Sequence, residues 1–165
     1  MKALKNICAI SLLLGATAFT SCTDLTEEIH SSVIAENYYN NSGEVMAAMM
    51  RPWGHFCGTM TVAKSPWSCN ELSADAAAWP QKGRHGYDNG DWIRLHRHQW
   101  IPTDGQVVEA WRLLFMGIGL ANNFLTDIER LDFEALQVPM SKAQAQAEMR
   151  IYRAYCYWYV IDMFG

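Results

Sequence analysis

Between residues 103 and 165, two long stretches repeat apolar residues at helical spacing, and they restrict the chain to one class of fold. In the first, Val107, Trp111, Leu114, Ile118, Ala121, Leu125 and Ile128 alternate steps of four and three, which stacks them along one face of an α-helix. Phe115, Leu120 and Phe124 widen that stripe, so the helix is expected to be buried on more than one side. Thr103 followed by Gln106 matches a capping box, and Asp104 adds negative charge to the first turn. The helix should end near Arg130, before a loop over 131–139. Gly117 and Gly119 each cost about 1 kcal/mol of helix propensity, which makes sense where another helix crosses closely. In the second stretch Ser141 and Gln144 form another capping box. One stripe then reads Ala145, Met149, Tyr152, Cys156, Tyr159, Met163, and another Ala147, Ile151, Ala154, Trp158, Ile161. Apolar residues on nearly all sides call for neighbours on all sides. Together the two stretches make an αα-hairpin. A hairpin cannot cover itself, so the chain reads as the N-terminal part of a longer protein whose later helices enclose it.

Upstream the pattern is less regular. Ser42 is placed to cap a helix carrying Glu44 in its first turn and Val45, Met46, Met49 and Met50 on its apolar side. That helix is expected to run towards Phe56, with Pro52 bending it or marking its end. From Cys57 to Pro102 no period is sustained. Pro66, Pro80, Gly83, Gly86 and the Asn89-Gly90 dipeptide read as turns. A long irregular region in a compact domain carries function or lies packed on other elements. It also holds Trp67, Trp79, Trp92 and Trp100, in a chain with seven Trp and seven Tyr. Aromatic residues in such number feed either a large core or a stacking surface for ligands.

The N-terminus reads as a targeting signal. Lys2 and Lys5 precede an apolar run from Ile7 to Phe19, which closes on Thr20-Ser21-Cys22. The run is shorter than the roughly 20 apolar residues a permanent membrane span needs. A cysteine after small residues resembles the lipobox of bacterial lipoproteins, in which the thiol is acylated and becomes the mature N-terminus. Phe19 stands where Leu or Val is commonest in that motif, and the alternative is an ordinary signal cut near Ala18. The chain therefore divides into a signal over 1–21, a polar tether over 22–41 and a helical region over 42–165. Removing the signal takes Lys2 and Lys5 out of the 13 basic residues and leaves all 17 acidic ones, a formal charge of −6. Such a protein has no electrostatic reason to seek nucleic acid. Of the remaining cysteines, Cys57 and Cys69 suit either a short-loop disulfide or two reduced, buried thiols.

The order of these features resembles the N-terminal part of the SusD/RagB family, outer-membrane lipoproteins of Bacteroidetes that bind nutrients, mostly glycans. The resemblance is carried by Ser21-Cys22, Glu71-Leu72-Ser73-Ala74-Asp75, Trp92 leading to Trp100, and Val108–Leu125 with Ala121-Asn122-Asn123. Its most specific part is the stretch from Ala147-Glu148-Met149-Arg150-Ile151-Tyr152-Arg153-Ala154-Tyr155 to Phe164-Gly165. The resemblance implies an all-α fold of tetratricopeptide-like helix pairs with a long loop-rich, ligand-facing region. It also implies a SusC-like TonB-dependent barrel as partner, with the lipoprotein acting as its lid. Asp24, Glu27 and Glu28 are similar to the acidic signals that send such lipoproteins to the cell surface, and otherwise read as a solvated tether. Localisation would then be the outer membrane, by a lipid anchor on Cys22 and exposed at the cell surface.

Sugar binding needs flat aromatic faces and planar hydrogen-bonding groups. Trp79, Arg84, His85 and Tyr87, with Asp75 at the edge, supply both on one turn-rich loop. The alternative is that Trp79 and Tyr87 simply pack on the helical core. Glu71 and Asp75 lie four apart, but nothing else supports a paired-carboxylate hydrolase. His85, His96, His98 and Cys69 fit no zinc pattern. Arg150 and Arg153, on an otherwise apolar helix, are expected to make buried hydrogen bonds or ion pairs, with Glu148 and Asp127 as candidate partners, as structural residues rather than anion ligands. No phosphate loop, nucleophile elbow or redox motif occurs. The expectation is a non-enzymatic protein without metal or cofactor that binds an oligosaccharide. The competing readings are a helical-repeat scaffold for peptides or proteins and, more remotely, a lipid-anchored glycoside hydrolase.

Overall fold

The computed structural model describes residues 38–61 and 65–165. The signal, the acylation site at Cys22 and all but the last residues of the tether lie outside the described residues. Within them the fold is all-α. Five α-helices follow in order: α1 (Ser42–Thr61), α2 (Pro66–Ser73), α3 (Asp91–His96), α4 (Gly105–Asp127) and α5 (Lys142–Phe164). Single 3-10 turns, Asp88–Gly90 and Ile128–Arg130, precede α3 and follow α4.

α4 and α5 form the expected antiparallel hairpin, and α1 lies against both. At Gly117 the packing leaves no room for a side chain without a shift of its neighbours. A Cβ there would stand 2.7 Å from Tyr152 Oη and 3.1 Å from Cys156 Sγ. Gly119, by contrast, faces open space, so the expected close crossing involves Gly117 alone. Ser141 and Gln144 make the reciprocal capping box at the start of α5.

Two apolar cores run along this hairpin. The larger joins Val45 and Met49 of α1 to Ile118, Ala121 and Phe124 of α4 and to Ala145, Met149, Tyr152 and Cys156 of α5. Trp53 and Phe56 meet Tyr152 edge-on, at ring distances of 5.2 and 6.1 Å. The smaller core lies at the other end of the hairpin, where Cys69 and Leu72 of α2, Trp92 and Leu95 of α3 and Ala110 of α4 are buried together. Met163 and Phe164 at the end of α5 cover it.

Several expectations need correcting. α1 begins one residue after Asn41, whose Oδ1 accepts from the Glu44 amide at 3.0 Å, so Asn41 is the cap and Ser42 is not. Glu44 completes the arrangement by accepting from Asn40 N at 2.6 Å. Pro52 does not end α1: its ring is buried and the helix continues to Thr61. The Thr103–Gln106 capping box is not formed. Asp104 stands at the N-cap without bonding the first-turn amides, and its carboxylate is used by Arg94 instead. Gln106 is drawn into the interior, where neither its amide nitrogen nor its oxygen has a partner. The irregular region is also more ordered than its sequence suggests, because α2 and α3 fall inside it. Ser65 caps α2 through a capping box in which Ser68 takes the place usually held by Glu or Gln, and Pro66 sits in the first turn. Cys69 is a buried free thiol, so the Cys57–Cys69 disulfide is not formed, and of the two expected buried thiols only Cys69 is buried, Cys57 being exposed.

Candidate functional site

The loop between α2 and α3 is positioned from beneath by a cluster of charge. Arg94 on α3 donates through Nε to both carboxylate oxygens of Asp104 at 3.1 Å, and through Nη2 to Asp91 Oδ1 at 2.6 Å. Asp104 also accepts the Ile101 amide at 3.1 Å, and Asp91 accepts the Gly105 amide at 2.8 Å. These bonds fasten α3 and the 97–103 turn to the start of α4. Hydrogen bonding from Arg94 holds the Asp104 carboxyl below the usual carboxylate range, and the same bond raises the guanidinium of Arg94. Gly90 enters α3 at φ +82°, and a Cβ there would approach Arg94 Nη1 to 3.0 Å.

Trp92, next in α3, is almost fully buried, with Nε1 donating to Asp88 Oδ2 at 2.6 Å. Trp79 stacks on it across the loop, the two indoles 4.9 Å apart and inclined by 20°. One face of Trp79 is therefore committed to the protein, while the residue as a whole stays 47% exposed. Gly86 fixes its edge. A Cβ there would meet Trp79 Nε1 at 3.0 Å and the Pro80 carbonyl at 2.9 Å, and the φ of +76° already favours glycine. Lys82 and His85 pair through their backbones at 2.8 and 3.0 Å, closing the turn beside the indole. The result is an open pocket of about 330 Å³ lined by Trp79, Pro80, Lys82, His85 and Gly86.

Of the five candidate residues, Trp79 and His85 share this pocket. Arg84 lies exposed on the same turn, outside the lining. Tyr87 is exposed at the start of the turn into α3 and packs on no core. Asp75 follows α2 at φ +58° and faces His96 Nδ1 at 3.8 Å, at the stem of the loop rather than at the pocket. Trp79 thus packs on the core through Trp92 while part of it stays exposed. Lys82 was missed by the sequence reading, since only the turn at Gly83 brings it beside an aromatic. Arg94 was missed as well. Its partner ten residues on lies on another element, and no helical period connects the two.

Arg150 and Arg153 do not meet Glu148 or Asp127. Arg150 is exposed, Arg153 makes its hydrogen bond to Asn122 Oδ1 at 2.6 Å on the exposed side, and among the described residues neither is ion-paired. Asp127 is occupied elsewhere, accepting from Tyr39 Oη at 2.8 Å; burial pushes the Tyr39 hydroxyl up, and the bond to Asp127 adds to it. Among the described residues no group of three His, Cys, Asp or Glu gathers as metal ligands, and no helix is long and apolar enough to cross a membrane.

Comparison with known proteins gives one curated relative. The chain is 30% identical over 103 residues to the starch-binding protein SusD of Bacteroides thetaiotaomicron. The matched stretch is 62% of this chain but only 16% of that protein's length. No family model matches, and no solved structure matches. The similarity agrees with the resemblance carried by the motifs above and relates this all-α chain distantly to SusD.

Proposed function

We propose that this chain is the N-terminal part of a SusD-like, non-catalytic lipoprotein that binds a glycan and passes it to a TonB-dependent outer-membrane transporter. The observation that carries the reading is the 103-residue similarity to a starch-binding protein. The Trp79 pocket supports it chemically. An indole held flat by Trp92 beneath it is preorganised for a sugar ring to stack on, and Lys82 and His85 stand at its rim to meet hydroxyls. Arg84, Tyr87 and Asp75 complete the proposed ligand-facing surface. In this reading residues 1–21 are the signal, Cys22 carries the acyl chains, 22–41 is the tether, and the protein sits at the outer face of the outer membrane.

The test is calorimetric titration of the full chain with oligosaccharides of several classes, with the mixtures examined for hydrolysis products. Binding without cleavage, weakened about tenfold or more by Trp79→Ala, is the expected outcome, since one stacked ring contributes about 1–3 kcal/mol by analogy with stacking on bases. Failure of every sugar class while peptides bind would replace the glycan reading with that of a helical scaffold.

A further inference from the structure

A second polar groove lies away from the Trp79 loop, between the C-terminal half of α4 and the N-terminal half of α5, with a volume of about 290 Å³. Its walls are unusual for a helix–helix junction. Asn122, Thr126 and Gln146 present amides and a hydroxyl, Arg150 and Arg153 present guanidiniums, and Leu125 is the one apolar lining residue. Arg150 and Arg153 are three apart on one helix, where like charges repel. Among the described residues no carboxylate lies within ion-pairing distance of either. Asp127 is held by Tyr39, and the partner of Arg153 is the neutral Asn122 amide oxygen. With Glu129 as its one carboxylate, the lining carries a formal charge of +1 in a chain whose net charge is −4.

We propose that this groove binds a uronic acid residue of an acidic oligosaccharide. Guanidiniums bind carboxylates through charge-assisted hydrogen bonds. Amides and a hydroxyl around them suit the vicinal hydroxyls of a sugar ring. A sugar rather than an acidic peptide side chain is named because the preceding reading makes the ligand a glycan, and N-acetylglutamate tests the alternative. Glu129 also lines the groove. Its charge selects a singly charged carboxylate over a more highly charged phosphate. The inference shares with the preceding section only that the ligand is a glycan, because the groove is a different surface.

The experiment is calorimetric titration of the full chain in detergent with trigalacturonic acid, neutral β-1,4-galactotriose and N-acetylglutamate. Trigalacturonate should bind. Arg150→Ala and Arg153→Gln should each weaken it about tenfold, the scale of one charge-assisted bond, and added salt should weaken it further. The groove is read from trigalacturonate and the arginine variants, and the Trp79 loop from neutral oligosaccharides in the preceding titration, so the two readings fail separately. Circular dichroism of each variant checks the fold, and Arg150→Lys, which keeps the charge but loses the planar fork, should give an intermediate loss. No binding of trigalacturonate, or binding indifferent to both arginine changes, overturns the proposal. Equal affinity for the neutral trisaccharide also overturns it, as does N-acetylglutamate binding as tightly as the uronide.

Discussion

At the scale of single residues, the structure turns on groups whose partners lie far along the chain. Asp104 is nearly buried and depends on Arg94 for its charge. Its carboxyl is held below the ordinary value of 3.8, so the stability it contributes is full above that value and is lost as pH falls below it. The urea midpoint of the native protein should therefore fall between pH 6 and pH 3 by more than that of Asp104→Asn, which should be lower at pH 6 and flatter towards acid. Cys69 shows the opposite sign. Burial pushes its thiol up to about 11 from 9.0, so alkali disfavours the folded state from about pH 9 upwards. At pH 8 neither Cys69 nor Cys156, both buried, should react with a thiol reagent until denaturant is added. Mass spectrometry of the labelled peptides reads this directly. Gly117 tolerates no side chain. Gly117→Ala places a methyl against Tyr152 Oη and should cost about 1–3 kcal/mol in chemical denaturation.

At the scale of elements, legibility followed length. α4 and α5 each run 23 residues, enough for their periods and the Ser141–Gln144 box to be read from the sequence. α2 and α3 run eight and six residues, too short for a period to stand out. The Ser65-Pro66 pair was a usable start signal for α2, but Ser68 in place of Glu or Gln hid the capping box. α3 begins from a left-handed Gly90, which reads as a turn because it is one. The Thr103–Gln106 match misled for a physical reason: a capping box requires both side chains at the helix end, and here Arg94 claims the adjacent Asp104 while Gln106 is swallowed by packing. That buried, unpartnered amide is a stability defect. Gln106→Leu should raise stability by about 1 kcal/mol, measured by denaturant midpoint. In the candidate site, residue types were legible while their arrangement was not. Nothing in the spacing of Trp79 and Trp92 announces that one indole lies on the other.

At the scale of the whole molecule, α5 has an inner and an outer life. Ala145, Met149, Tyr152 and Cys156 are buried, while Ile151, Trp158 and Ile161 on the opposite side are 67%, 54% and 66% exposed. Val108, Trp111 and Phe115 of α4 add to the uncovered apolar surface. Among the described residues nothing encloses this side of α5. Apolar patches of this kind mark surfaces that are covered in the working protein or that aggregate. Residues 22–165 alone should self-associate with rising concentration, and Ile151→Glu with Ile161→Lys should restore a monomer in light scattering. A monodisperse native fragment with a cooperative melt would contradict this expectation.

The division of the interior into two cores has a kinetic corollary. Segments that share few buried contacts can open independently, each with its own free energy. A sugar on Trp79 bears on the smaller core through Trp92 and touches nothing of the larger one. Saturating ligand should therefore slow amide exchange in α2, α3 and the Arg94 turn, and leave Val45 to Met49 opening at their own pace. The protein would report occupancy of its loop as a local silence in one half of its fluctuations.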